Sequence, residues 1–496
     1  MISRVKPDGI DLPSASYFDL PEKVLQFGTG VLLRGLPDYF IDKANKKGLF
    51  NGRIVLVKST TTGETELFRQ QDGLYTTCIR GLVNGVKQEE NIINASISRL
   101  LSAKNDWNEI LTCATNPQLE IVISNTTEIG IQLIQDHIDA APPESFPGKL
   151  LAILYKRFLF FNGDPGKGMV IIPTELIPRN GERLREVLLE LAEQNSLEKD
   201  FCQWLQTANY FCNSLVDRIV PGKLPPEQQT GMEEKLGYED GLMIMAEPYC
   251  LWAIESDNRK VRDILSFSLS DPGVVIAPDI TIFRELKLRL LNGSHTFTCG
   301  LAYLRGFATV RDAMENDAFS NYIRSLMFQE IIPSITNEKL SVEAAGVFGE
   351  QVLDRYRNPF INHLWLSITL QYSSKMRLRN VPILLNYFER FGRIPAYMSL
   401  GFAAHLWFMK SVREQSGQYY GEANGKAYLV NDDHADFYAQ CWKQPYRVVN
   451  DVLSHRAFWG TDLSKLPGFA DAVSDKLNLL MSEGVAESLK NIQSSK

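Results

Sequence analysis

The chain has 496 residues, enough for two or more domains with substantial cores. Its 44% apolar and 22% charged content is that of a globular protein and excludes a disordered or fibrous one. A net charge of −7 argues against a nucleic-acid surface, and no stretch is long and apolar enough to span a bilayer.

The first twenty residues hold prolines and acids without an apolar core, so no secretory signal is expected. Lys23 to Phe27 reads as a buried strand, followed by a tight turn, Gly28-Thr29-Gly30. Val31 to Ala44 has helical spacing, with Pro37 early in it where proline is tolerated. Ile54 to Val57 is a second strand. In such a βαβ opening, glycines let backbone N–H groups and a helix N-terminus meet a pyrophosphate. Phe27, Gly28, Thr29, Gly30, Arg34 and Lys58 are its candidate cofactor-binding residues. The loop departs from G-x-G-x-x-G, because Leu33 stands at the third glycine, and Lys58-Ser59-Thr60 replaces the usual strand-end acid.

Glu120 to Ser124 is a further strand, ending in Asn125-Thr126-Thr127-Glu128. Ligands of open α/β sheets sit beyond the carboxyl ends of strands, which makes these four candidate nicotinamide neighbours. A plain strand-to-helix turn with a polar N-cap reads equally well. Gly168 to Ile172 is a strand closed by Pro173-Thr174-Glu175-Leu176, and a helix runs from about Glu182 to Asn195. Val216-Asp217-Arg218 sets opposite charges beside apolar residues, as a local ion pair or as a buried acid that holds substrate hydroxyls. Gly241 to Ile254 reads as one more strand.

Past Pro278 almost everything reads as helix: Thr281–Tyr303, Val310–Phe319, Ala318–Pro333, Ser341–Tyr356, Ile361–Lys375, Val381–Phe391 and Met398–Ser411. The expected architecture is an α/β N-terminal Rossmann-type domain, residues 1–282, and a mostly α-helical C-terminal substrate and catalytic domain, residues 283–496. The polar tail Ser488 to Lys496 is expected to fray.

The helix that opens the second domain reads KLRLLNGSH, with Lys287, Asn292 and His295 at i, i+5 and i+8. At about 100° per residue these fall near 0°, about 140° and about 80° on one broad face. A lysine can accept a hydroxyl proton, an asparagine can donate to an oxyanion, and a histidine can orient a hydroxyl or relay a proton. The set suits removal of a proton from an alcohol as hydride leaves for a cofactor across the interdomain cleft. Arg355, with His363 soon after, is a candidate carboxylate ligand. Lys375, Arg377 and Arg379 form a basic group that is either a solvated face or an anion site. No two histidines stand at metal-ligand spacing and H-E-x-x-H is absent, so no catalytic metal is expected. Seven scattered cysteines without a C-x-x-C pair suggest reduced thiols and a cytoplasmic protein.

Taken together, Lys287-x4-Asn292-x2-His295, Val216-Asp217-Arg218-Ile219 with Pro221, Gly28-x-Gly30 with Arg34, Gln71-Asp72-Gly73-Leu74-Tyr75 and Glu247-Pro248 with Trp252 resemble the mannitol dehydrogenase family, the polyol-specific long-chain dehydrogenases and reductases. The resemblance runs from about Val24 to Leu378. SNTTEIGI, PTELIPRNG and RYRNPFINHLW are similar to the family's branch that handles sugar acids. The resemblance implies metal-independent hydride transfer between NAD and a sugar acid, with Lys287, Asn292 and His295 catalytic. It implies substrate contacts from Asp217, Arg355, His363 and Lys375. Lys58, Ser59 and Thr60 equally suit a ribose 2′-phosphate, so NADP stays open. Other branches carry an oxyanion-hole asparagine where Leu176 stands, which leaves Asn292 to act alone or with a further group. The partner expected is a small sugar acid, with neither nucleic acid nor membrane, and the chain is a monomer or weak oligomer. The alternatives are a reductase of an epimeric keto acid, a hexitol dehydrogenase and a non-catalytic dinucleotide sensor.

Overall fold

A computed structural model describes residues 10, 12–59, 65–126 and 130–494. The chain divides into two compact units, Met1–Arg80 with Lys87–Ile280, and Gly81–Val86 with Thr281–Lys496.

The first unit is built on a six-stranded parallel sheet in the order β5-β2-β1-β6-β7-β8. Its strands are β1 (Glu22–Phe27), β2 (Arg53–Lys58), β5 (Ile97–Ser102), β6 (Ile121–Ser124), β7 (Val170–Pro173) and β8 (Tyr210–Phe211). Every residue of β2, β6 and β7 is buried, as parallel strands covered on both faces require. The strand order reverses at β1, with β2 on one side and β6 on the other, so the switch point of the sheet lies beyond the ends of β1 and β6.

Two smaller sheets complete the unit. β3 (Tyr75–Val83) lies between β4 (Val86–Asn94) and β10 (Ile244–Ala246), and β11 (Leu251–Glu255) lies between β9 (Ser214–Asp217) and β12 (Val274–Ala277). The single strand expected over Gly241–Ile254 is therefore two strands in different sheets, parted at Glu247-Pro248, because proline has no N–H for a ladder. The helix expected over Val31–Ala44 is also two, α1 (Val31–Gly35) and α2 (Pro37–Lys46). The backbone leaves helical geometry at Leu36 (φ −135°, ψ −78°), since the residue before a proline is pushed out of the α region.

The second unit is mostly helical, with one exception that helical spacing concealed. β13 (Arg413–Gln415), β14 (Gln418–Ala423) and β15 (Lys426–Leu429) form an antiparallel sheet. Ile361–Lys375 is not one helix but two short turns, Trp365–Ile368 and Tyr372–Lys375. The C-terminal segment is helical through Ser494 rather than frayed, and Leu489 and Ile492 are buried. Three stretches wind as π-helix within longer helices: Leu286–Leu291, Leu326–Ile331 and Met376–Asn380. Such turns insert a residue and are frequent at functional sites. No helix among the described residues is long and apolar enough to cross a membrane.

Candidate active site

In the first unit the loop after β1 is shaped for close approach. Gly28 has φ +127°, and a Cβ there would lie 2.9 Å from the carbonyl oxygen of Asn125, the residue that follows β6. Gly30 is the N-cap of α1 and has open space where its Cβ would stand. The switch point thus presents bare backbone beside a helix start. The role of the third glycine falls to Gly35, whose Cβ would lie 2.8 Å from a methyl of Val220. Gly28→Ala is expected to cost roughly 1–3 kcal/mol of stability and to weaken NADH binding at least about tenfold. Thermal unfolding and NADH fluorescence titration measure both, and wild-type values would contradict the role given to this turn.

Asn125 and Thr126 are held by the turn after β7. The Asn125 amide donates to the Thr174 hydroxyl (2.9 Å), and the buried Glu175 carboxylate accepts from the backbone N–H and hydroxyl of Thr126 (both 2.9 Å) and from Ser124 (3.1 Å). Thr174 and Glu175 were read in sequence only as the close of strand β7, because their partners lie some fifty residues away. Thr127 and Glu128 lie outside the described residues. Lys58 is buried at the end of β2, Phe27 is buried at the end of β1, and Leu176 is 62% exposed.

The Arg34 guanidinium is buried, donates to the Leu242 carbonyl (2.6 Å) and lies over the rings of Phe68 and Tyr75, so it braces the interior of this unit. Other signature residues serve as scaffold as well. Arg218 donates to the carbonyls of Gly35 (2.7 Å) and Glu247 (2.8 Å), and Gln71 joins Asp240 (2.8 Å) to Gly241 (3.0 Å). Asn180 ties the β7 turn to Ser214 on β9. Asp217 is buried at the end of β9. Tyr39 and Lys43, spaced as Tyr-x-x-x-Lys, belong to the scaffold too, for Lys43 pairs with Asp271 (2.5 Å).

In the second unit, Lys287 and Asn292 stand at opposite ends of a π turn. The Asn292 N–H donates to the Lys287 carbonyl, an i→i+5 bond. In an α-helix the two side chains would diverge by about 140°. The i→i+5 bond sets Asn292 nearly over Lys287, so both occupy one face. Asn292 begins the α-helix Asn292–Arg305, which carries His295 three residues on, just short of a full turn. Gly293 admits Ile383 and Asn380, whose atoms would lie 3.0 and 3.4 Å from a Cβ there.

His295 is 8% exposed and enclosed by rings. Tyr356 stacks on it at 4.1 Å between centroids, while His363 (5.2 Å) and Trp365 (6.0 Å) meet its edges. Its Nε2 is buried without a hydrogen-bond partner among the described residues. Burial, then the charges of His363, Arg355, Arg379 and Lys375, hold its pKa well below the usual histidine range, so the imidazole is neutral. Burial first, then Lys375 and Arg355, lowers His363 also. Tyr356 is a site residue that sequence reasoning missed. Its hydroxyl bonds Ser294 (2.8 Å) and the Leu291 carbonyl (3.1 Å), fixing the ring on which His295 rests. Lys287, Asn292, His295, Arg355, His363 and Lys375 all belong to this unit, whereas Asp217 belongs to the first.

A glycine turn at the switch point of a parallel sheet, followed by a helical unit with lysine, asparagine and neutral histidine on one helix, defines a class: the dinucleotide-dependent dehydrogenases. Residues 22–265 match the mannitol dehydrogenase Rossmann domain and residues 279–481 the mannitol dehydrogenase C-terminal domain. The chain belongs to the mannitol dehydrogenase family and is an oxidoreductase. It is 38% identical over 481 residues to the altronate oxidoreductase of Bacillus subtilis (strain 168), covering 96% of each chain. It is 36% identical over 491 residues to that of Escherichia coli O17:K52:H18 (strain UMN026 / ExPEC), covering 97% of this chain and 98% of the relative. Among solved structures, Pseudomonas fluorescens mannitol 2-dehydrogenase in ternary complex with NAD and D-mannitol superposes with a TM-score of 0.69 at 22% identity, over 99% of this chain and 98% of that one. A substrate-free D-sorbitol dehydrogenase gives 0.78 at 20% identity, over 97% and 98%. At such identities the structural likeness is one of fold.

Proposed function

We propose that this chain interconverts altronate and tagaturonate with NAD as hydride carrier. The observation that carries the reading is the relation of the chain, over nearly its full length, to altronate oxidoreductases, with a buried His295 Nε2, unpartnered among the described residues, on the helix that follows Lys287 and begins at Asn292. The first unit fits a dinucleotide. Gly28 and Gly30 leave backbone where side chains would intrude, and the N–H groups at the start of α1, with Asn125 and Thr126, would hold the cofactor. NAD when bound supplies the hydride acceptor.

The chain's own residues supply the proton chemistry. Lys287 takes the hydroxyl proton in oxidation and returns it in reduction. Asn292 donates through its amide to the oxygen as charge develops there. The buried, unpartnered Nε2 of His295 offers a neutral hydrogen-bonding group to a neighbouring hydroxyl. Asp217 accepts from a further hydroxyl, and one of Arg355, His363 or Lys375 contributes to holding the carboxylate. All seven cysteines are free thiols, which supports a reduced, cytoplasmic setting.

The test is a panel of tagaturonate, fructuronate and fructose with NADH and NADPH, followed by absorbance. The highest kcat/KM is expected for tagaturonate with NADH. Preference for fructuronate would move the assignment to the epimer, preference for fructose would remove the sugar acid, and preference for NADPH would correct the cofactor.

A further inference from the structure

Beyond the carboxylate candidates already named, Arg379 is set in the second unit with unusual care. Its backbone carbonyl and that of Leu378 accept from the Arg289 guanidinium (3.0 and 2.7 Å), and Arg289 is itself paired with Glu285 (3.0 Å) at the entrance to the Lys287 π turn. The Arg379 side chain then reaches the helix Asn292–Arg305, where one N–H donates to the Thr296 hydroxyl (3.2 Å). That hydroxyl donates onward to the Asn292 carbonyl (2.7 Å), so the guanidinium stands one helical turn from the proposed oxyanion donor.

No carboxylate among the described residues pairs with this charge. Among the described residues Arg379 has neither an ion pair nor a second protein acceptor, although it is half-buried. Lys375, four residues earlier, donates to the Ile368 carbonyl (2.9 Å). The acid that acts on it, Asp432, is already engaged by the N–H and hydroxyl of Ser373 and the N–H of His434. A half-buried guanidinium with no ion pair among the described residues, four positions from a second half-buried cation, is costly unless a ligand supplies the negative charge. A guanidinium with one N–H spent and the rest of its fork open matches a carboxylate.

We propose that Arg379 is the specificity-determining residue that anchors the substrate carboxylate and thereby separates sugar acids from neutral polyols. This rests on the substrate reading above. The experiment compares wild type, R379Q and R379K on tagaturonate and on fructose with NADH. In R379Q the ratio of kcat/KM for tagaturonate over fructose should fall about 100-fold, through a raised KM for the acid. R379K, which keeps the charge but loses the fork, should fall between and serves if R379Q does not fold. Partial recovery of the R379Q ratio by added guanidinium is expected too. An unchanged ratio, or equal losses on both substrates, overturns the assignment while leaving the substrate reading intact. A wild-type enzyme inactive on every keto sugar acid overturns both.

Discussion

Lys287→Ala is expected to lower kcat by about 10³–10⁴-fold in both directions, the loss that follows removal of a positioned general acid–base. The expectation has a structural reason beyond residue type. A π turn, rather than an α turn, begins at this lysine, and the i→i+5 bond to Asn292 fixes the backbone beneath it. NADH affinity should stay within about twofold, because the switch-point loop lies in the first unit. Added methylamine should restore part of the rate, since a small base can occupy the space vacated. Stopped-flow and steady-state rates measure these effects. A variant that keeps a tenth of wild-type turnover, or whose loss follows NADH affinity, would show that the lysine is not the proton carrier.

Asn292→Ala should cost about 10²–10³-fold in kcat with little change in KM, as expected when a donor acts on charge that develops only in the transition state. Its surroundings argue against a large effect on folding. Asn292 is partly buried, and what the helix uses is its carbonyl, bonded by Thr296, which alanine retains. Asn292→Asp should be at least as damaging, because a carboxylate repels the forming alkoxide. With an exposed leucine at position 176, where other branches of the family carry a second asparagine, the loss should fall at the upper end of that range. A loss below tenfold would mean that another donor carries the oxyanion.

The two predictions draw on different kinds of legibility. The βαβ opening was readable because Val24–Phe27, apolar but for Gln26, and the apolar run Ile54–Val57 flank two glycines and a helix, a local pattern for strands buried on both faces. The lysine, asparagine and histidine were readable as chemical types at a fixed spacing. Their angular relation was not. Spacing implies an α-helix, and the π turn over Leu286–Leu291 comes with packing against the other two π segments and with Tyr356 bonding the Leu291 carbonyl, groups dozens of residues distant. The bracing contacts of Arg34 were not readable, because its partners Leu242 and Tyr75 lie far along the chain, one in a turn and one in a strand.

By itself, then, the order of residues determined the class of each half, the glycine turn and the identity of the groups able to move a proton, since these follow from short-range periodicity and side-chain chemistry. Only the tertiary structure decided which charges are scaffold and which are uncompensated. Arg34 and Arg218 find carbonyls in the interior, while Arg379 finds one hydroxyl and, among the described residues, no acid. The physical reason is that the work a charge does depends on its desolvation and its partners, and both are set by segments brought together from far along the chain.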